Sequence, residues 1–365
     1  MVLDDYDLVE DLRKSILNMQ EGVTSFLSRV NLHAVITKRM IEDTEKIVQE
    51  YLLEPRLTKR DKILEKYHKK LMIKLNSMFH ERPHLKEICQ QKDNQLVLSC
   101  FTKYDFEAVS PTDNDDTKLN DIKCVFRCCG HNLTYLNIQK YPYSEILSLI
   151  NVNCTNLKEL VVKFIEIEDE DFKNVFSHMH KLERLIITLD CGILTLPLTW
   201  VSSLKKIAET LKDLHLECES KEEVFLPDKL SLVFPILITL ERLHVYGFQL
   251  SPSLVKSIGE IESLNVLELF PRDNYSSNYE KTDMTTIGNL KNLETLDVTW
   301  NWGITDEFLI NLCENSKKLK HLRILGREIT NDGISAVKSL SQLEWFSLGV
   351  DTPDEENELI IDQSS

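Results

Sequence analysis

"GITDEFLINLCENSKKLKHLRIL", running from Gly303 to Leu325, holds two periodicities in one stretch. Phe308, Leu309, Leu312 and Cys313 recur at helical spacing, whereas Leu319, Leu322 and Ile324 follow the three-then-two spacing of a short strand. The strand pattern is not local to this stretch. NLTYLNI at Leu133, NLKELVV at Leu157, KLERLII at Leu182, TLKDLHL at Leu211, TLERLHV at Leu240, SLNVLEL at Leu264, NLETLDV at Leu293, KLKHLRI at Leu319 and QLEWFSL at Leu343 repeat it nine times. Successive first leucines are 24, 25, 29, 29, 24, 29, 26 and 24 residues apart. A phased period of that size marks a unit that buries its one apolar face only against its neighbours.

Helical sequence separates the strands. ITDEFLINL from Ile304 is echoed by ITNDGISAV from Ile329, with Thr305 and Thr330 placed as caps, and Ser251 before Pro252 offers a further helix start. A helix from Thr305 to Asn315 is expected. Each unit is predicted to be one strand and one helix, stacked so that parallel strands line the inside of a curved solenoid and helices the outside.

Residues 122–350 resemble the leucine-rich repeats of ribonuclease-inhibitor-like and F-box/LRR proteins, ITDEFLINLCENSKKLKHLRI being similar to a helix-to-strand unit of that type. The position eight after the first leucine, Asn or Cys in that family, is met by Asn301 but not by Tyr141, Asp190, Glu219 or Arg327. The fold class expected is therefore α/β, a leucine-rich-repeat solenoid preceded by an α-helical N-terminal domain.

Residues 1–90 lack the repeat and show helical spacing, with Leu12, Ile16, Met19, Val23, Phe26 and Leu27 on one stripe. Residues 91–121 read as a capping strand at Leu96, Leu98 and Phe101 and then an acidic loop from Ser110, ahead of a helix at Ile122. Residues 351–365, with six acids and no base, read as a disordered tail. Within 48–88, "VQEYL" at Val48, "LTKRD" at Leu57 and "YHKKL" at Tyr67 resemble the successive parts of an F-box, although no Leu-Pro pair opens it and Leu71 stands where that family has Trp. The resemblance implies docking on a Skp-type adaptor of a cullin-RING ligase through Val48, Tyr51, Leu52, Leu57, Ile63 and Leu71. The other reading of these helices is a cap on the repeats. A basic run from Arg56 to Lys74 is either a solvated face or a surface for an acidic partner.

At 365 residues, 42% hydrophobic and 28% charged, the composition is that of a folded soluble protein. A formal charge of -16 opposes general nucleic-acid binding, which needs clustered Lys and Arg. No apolar run is long enough to span a bilayer and no secretory signal opens the chain, so a cytoplasmic or nuclear protein is expected, with its nine cysteines reduced. There is no GxSxG, Walker loop, GxGxxG, HExxH or paired CxxC, and CCGH at Cys128 reads as core cysteine rather than metal ligand. No catalysis, cofactor or metal is expected.

Binding has a more natural place. Side chains alternate along a strand, so the first, fourth and sixth residues of each copy point to the core and the third, fifth and seventh to the concave face. That face gathers His215, Glu217, His244, Tyr246, Glu268, Phe270, Asp297 and Arg323 in columns about 4.8 Å apart. A polar face punctuated by aromatics suits a protein partner. The expected function is a non-enzymatic interaction module, either the substrate receptor of an SCF-type ubiquitin ligase or a self-contained scaffold or inhibitor, and a monomer outside its complex.

Overall fold

Each leucine that opens a copy is followed two residues later by a strand, because its β-branched and long apolar residues alternate with polar ones at a period of two. The computed structural model describes residues 102–106, 115–190, 196–220, 224–271, 283–299, 303–325, 328–349 and 358–362. The chain divides into two compact units, Met1–Tyr141 and Pro142–Ser365.

In the first unit, β1 (Lys103–Asp105) pairs in parallel with β2 (Tyr135–Asn137), and α1 (Asp115–Cys129) connects them. The expected helix start at Ile122 is corrected by seven residues. Asp115 and Asp116 occupy the first turn and Arg127 the last, which suits the helix dipole, and Lys118 pairs with Asp115 at 2.9 Å. Leu96, Leu98 and Phe101, expected to form the capping strand, lie outside the described residues.

In the second unit eight strands run parallel in chain order: β3 (Glu159–Phe164), β4 (Arg184–Leu189), β5 (Asp213–Cys218), β7 (Arg242–Tyr246), β9 (Val266–Phe270), β10 (Thr295–Val298), β11 (His321–Leu325) and β12 (Trp345–Gly349). Register follows the repeat, aligning Leu160, Leu185, Leu214, Leu243, Leu267, Leu296, Leu322 and Phe346 in one row. In the copies from Leu157 to Leu343 the first, fourth and sixth residues are buried, so the core of this unit is a stack of apolar layers. A minor sheet pairs β6 (Val224–Phe225) with β8 (Phe248–Gln249).

The outer layer is less uniform than one helix per strand. It contains α2 (Ile146–Asn153), α3 (Leu198–Leu204), α4 (Pro252–Ile258), α5 (Asp306–Asn315) and α6 (Asn331–Val337), but 3-10 turns stand at 228–232, 234–236 and 287–289. Pro235 has no N–H to donate, and Thr285, Thr286 and Gly288 disfavour α-helix, so the chain takes the tighter turn there. Three helix starts are capped as expected: Ser251 accepts from the Leu254 N–H, Thr305 from Phe308 and Thr330 from Asp332.

Polar side chains join one unit to the next. Thr239 donates to the Leu211 carbonyl at 2.9 Å, Ser263 to Leu240 at 2.7 Å and Ser203 to Phe172 at 2.6 Å, satisfying carbonyls left over where the chain turns. The tail departs from the disorder expected of it. Glu358–Asp362 forms β13, antiparallel to β12, because the short apolar run Leu359–Ile361 is a strand former beside a strand with one free side. No described helix is long and apolar enough to cross a membrane.

Candidate functional site

The third, fifth and seventh residues of the copies share one face of the sheet, the open face. Parallel register places His215 beside His244 and Glu217 beside Tyr246. It then places His244 beside Glu268, Tyr246 beside Phe270, Glu268 beside Asp297 and Asp297 beside Arg323. All eight residues expected on this face come together in one patch spread over five neighbouring strands, and each is half-buried.

Four rings make a continuous row. His244 and His215 stack with centroids 5.4 Å apart, His215 and Tyr246 at 5.3 Å, and Tyr246 and Phe270 at 4.5 Å, with interplanar angles of 22°, 18° and 21°. Such stacks add about 0.5–1.5 kcal/mol per pair beyond area burial and hold their members in fixed rotamers. Glu268 locks the row from one side. Its Oε2 accepts from the Tyr246 hydroxyl at 2.6 Å and lies 2.9 Å from His244 Nδ1, a geometry that assigns the proton to Nδ1. The hydrogen bond from His244, with that from Tyr246, holds the Glu268 carboxyl below its ordinary range against the effect of burial. Burial and then the bond to Glu268 push the Tyr246 phenol up.

His215 is the outlier of the row. Its Nε2 is buried without a hydrogen-bond partner, and burial followed by the neighbouring His244 holds its pKa below the ordinary value. Asp297 accepts from the Thr299 hydroxyl at 2.6 Å and lies 3.8 Å from Arg323 Nη1, yet burial dominates and raises its pKa.

A second column on the same face was not singled out from the sequence. At the third positions Glu159, Arg184, Asp213 and Arg242 alternate in sign, with Arg184 3.2 Å from both Glu159 and Asp213 and Arg242 3.0 Å from Asp213. The signal lay in the repeats, as acid, base, acid, base at one phase of four successive copies. Only Asp213 is well buried, its side chain 6% exposed, so screening at the arginines keeps the ladder's contribution small. The expected adaptor-facing residues Val48, Tyr51, Leu52, Leu57, Ile63 and Leu71 lie outside the described residues. Cys129, Cys154, Cys218 and Cys313 are buried thiols, and among the described residues no group of three His, Cys, Asp or Glu side chains could hold a metal ion.

No family model matches the chain, and no curated protein matches it. Among solved structures, the chain is similar to an internalin from Listeria monocytogenes, with 14% identity, 75% of this chain and 94% of that chain covered and a TM-score of 0.24. It is also similar to the Rad7 and Elc1 complex of yeast, with 17% identity, 87% of each chain covered and a TM-score of 0.36. With TM-scores this low, neither likeness bears on the reading of the site.

Proposed function

We propose that the chain is a non-enzymatic protein-interaction module. Its stacked units form a leucine-rich-repeat solenoid whose concave side is the open face, and that face holds a protein partner. The row His244, His215, Tyr246 and Phe270 carries this reading, because it sets rigid, half-exposed rings among hydrogen-bonding groups in an already ordered surface. Such a surface loses little entropy on binding. Proteins retained by the full chain from cell extract, once identified and purified, are expected to bind the Tyr246→Ala, Phe270→Ala double variant more weakly by over ~1 kcal/mol, with folding stability nearly unchanged. Equal affinity for the double variant removes the open face as the site.

For the N-terminal region we infer, from the F-box resemblance and the basic run Arg56 to Lys74, attachment to a Skp-type adaptor and a role as substrate receptor of a cullin-RING ligase. Basic side chains speed encounter with an acidic surface while Leu52 and Leu57 supply apolar contact. Binding of purified adaptor to the full chain, abolished by Leu52→Asp and by Leu57→Asp, supports that role. Absence of binding at tens of micromolar adaptor, near the Kd expected of a weak interface, leaves the self-contained scaffold or inhibitor.

A further inference from the structure

Cations at the third, fifth and seventh positions of the second unit are already paired. Lys163 lies against Glu219 and Asp190, Arg184 against Glu159 and Asp213, Arg242 against Asp213, and Arg323 against Asp297. Among the described residues, the carboxylates there face an arginine or a histidine, with one exception. Glu159, Asp213 and Asp297 face arginines, and Glu268 is tied to His244 and Tyr246. Glu217 accepts only the Thr188 hydroxyl, at 3.2 Å, and among the described residues faces no cation. It sits half-exposed beside Tyr246, which stacks on Phe270.

Resting on the open-face reading above, we propose that Glu217 and the Tyr246–Phe270 pair receive an arginine side chain from an extended segment of the protein partner. A half-exposed carboxylate that faces neither a cation nor a histidine, among carboxylates that do, favours a positive group there. The aromatic pair beside it provides a surface for the methylene stem. Arginine fits better than lysine because its planar fork gives two N–H groups to one carboxylate and lies flat against rings, whereas an ammonium is a compact, strongly hydrated charge. Burial and the neighbouring His244 lower the His215 pKa, which weakens it as a cationic competitor for Glu217.

A random peptide library displayed on phage and selected on the full chain tests this. Selected peptides are expected to be enriched in arginine, and replacing that arginine by citrulline, which keeps the shape and removes the charge, should weaken binding about tenfold, or ~1.4 kcal/mol. Glu217→Gln should weaken the arginine peptide by the same factor and leave the citrulline peptide unchanged. Glu314→Gln, which removes an equal charge from an exposed site on α5, should change neither. Thermal melts confirm that each variant is folded. Peptides that depend on Tyr246 and Phe270 but carry no arginine, or are indifferent to Glu217→Gln, overturn the arginine inference and leave the open face as the binding site. Peptides indifferent to Tyr246→Ala and Phe270→Ala overturn both.

Discussion

His215 is placed where ring stacking and hydration oppose each other. Its ring bridges His244 and Tyr246, but Nε2 is buried with no partner. Protonation there meets burial and His244, only partly offset by Glu217, Asp213 and Glu268 around it. The sign follows from linkage. With the folded pKa below the ordinary 6.5, the unfolded chain takes up a proton first as pH falls, so stability from this group is lost from about pH 6.5 down to the folded pKa. His215→Phe keeps a ring in the stack and removes the titration. It is expected to flatten the fall in melting temperature across that window and to cost little near pH 8. A fall as steep as that of the parent chain would assign the pH dependence to another group.

At the scale of the element, the strands were legible because nine copies carry the same burial code, and an error in one copy is corrected by the next. Leu267 shows the code at work: it is fully buried at the fourth position, and its neighbour Glu268 stands on the opposite face. Leu267→Asp puts an unpaired charge into that layer and is expected to cost several kcal/mol in urea unfolding, whereas Val266→Asp, on the half-buried face, should cost far less. Equal costs would mean that the register is shifted by one. Which residues share the open face was legible for the same reason, since register aligns like positions of successive copies. The polar joints were not. Ser203, Thr239 and Ser263 look like ordinary surface residues in sequence, because their partners are carbonyls of the preceding unit. Gly259 is equally silent until folding brings the Thr286 carbonyl within 2.5 Å of where a Cβ would stand. The tighter turns of the outer layer escaped too, since a repeat alignment weighs leucines and not the local effect of Pro235 or Gly288.

Across the whole molecule, each of the eight parallel strands of the second unit's main sheet follows its neighbour in that sheet in the order of the copies, so layers stabilise one another in sequence rather than around one shared centre. Such an array has ends, and an end is a row of unpaired N–H and C=O groups on which any other extended chain can grow. At β12 the chain supplies its own last rung: Glu358–Asp362 pairs with Trp345–Gly349 in the antiparallel sense. The antiparallel rung also reverses the strand direction at that end, so a further copy would not find the parallel template it needs to continue the series. The expected consequence is that the acidic β13 keeps the edge of β12 from pairing with another chain. A chain ending at Val350 should keep its core and melt at nearly the parent temperature, yet form dimers and larger species in sedimentation at concentrations where the full chain sediments as one species. Truncated chains that stay monomeric over the same range would show that the edge of β12 is guarded by something other than β13.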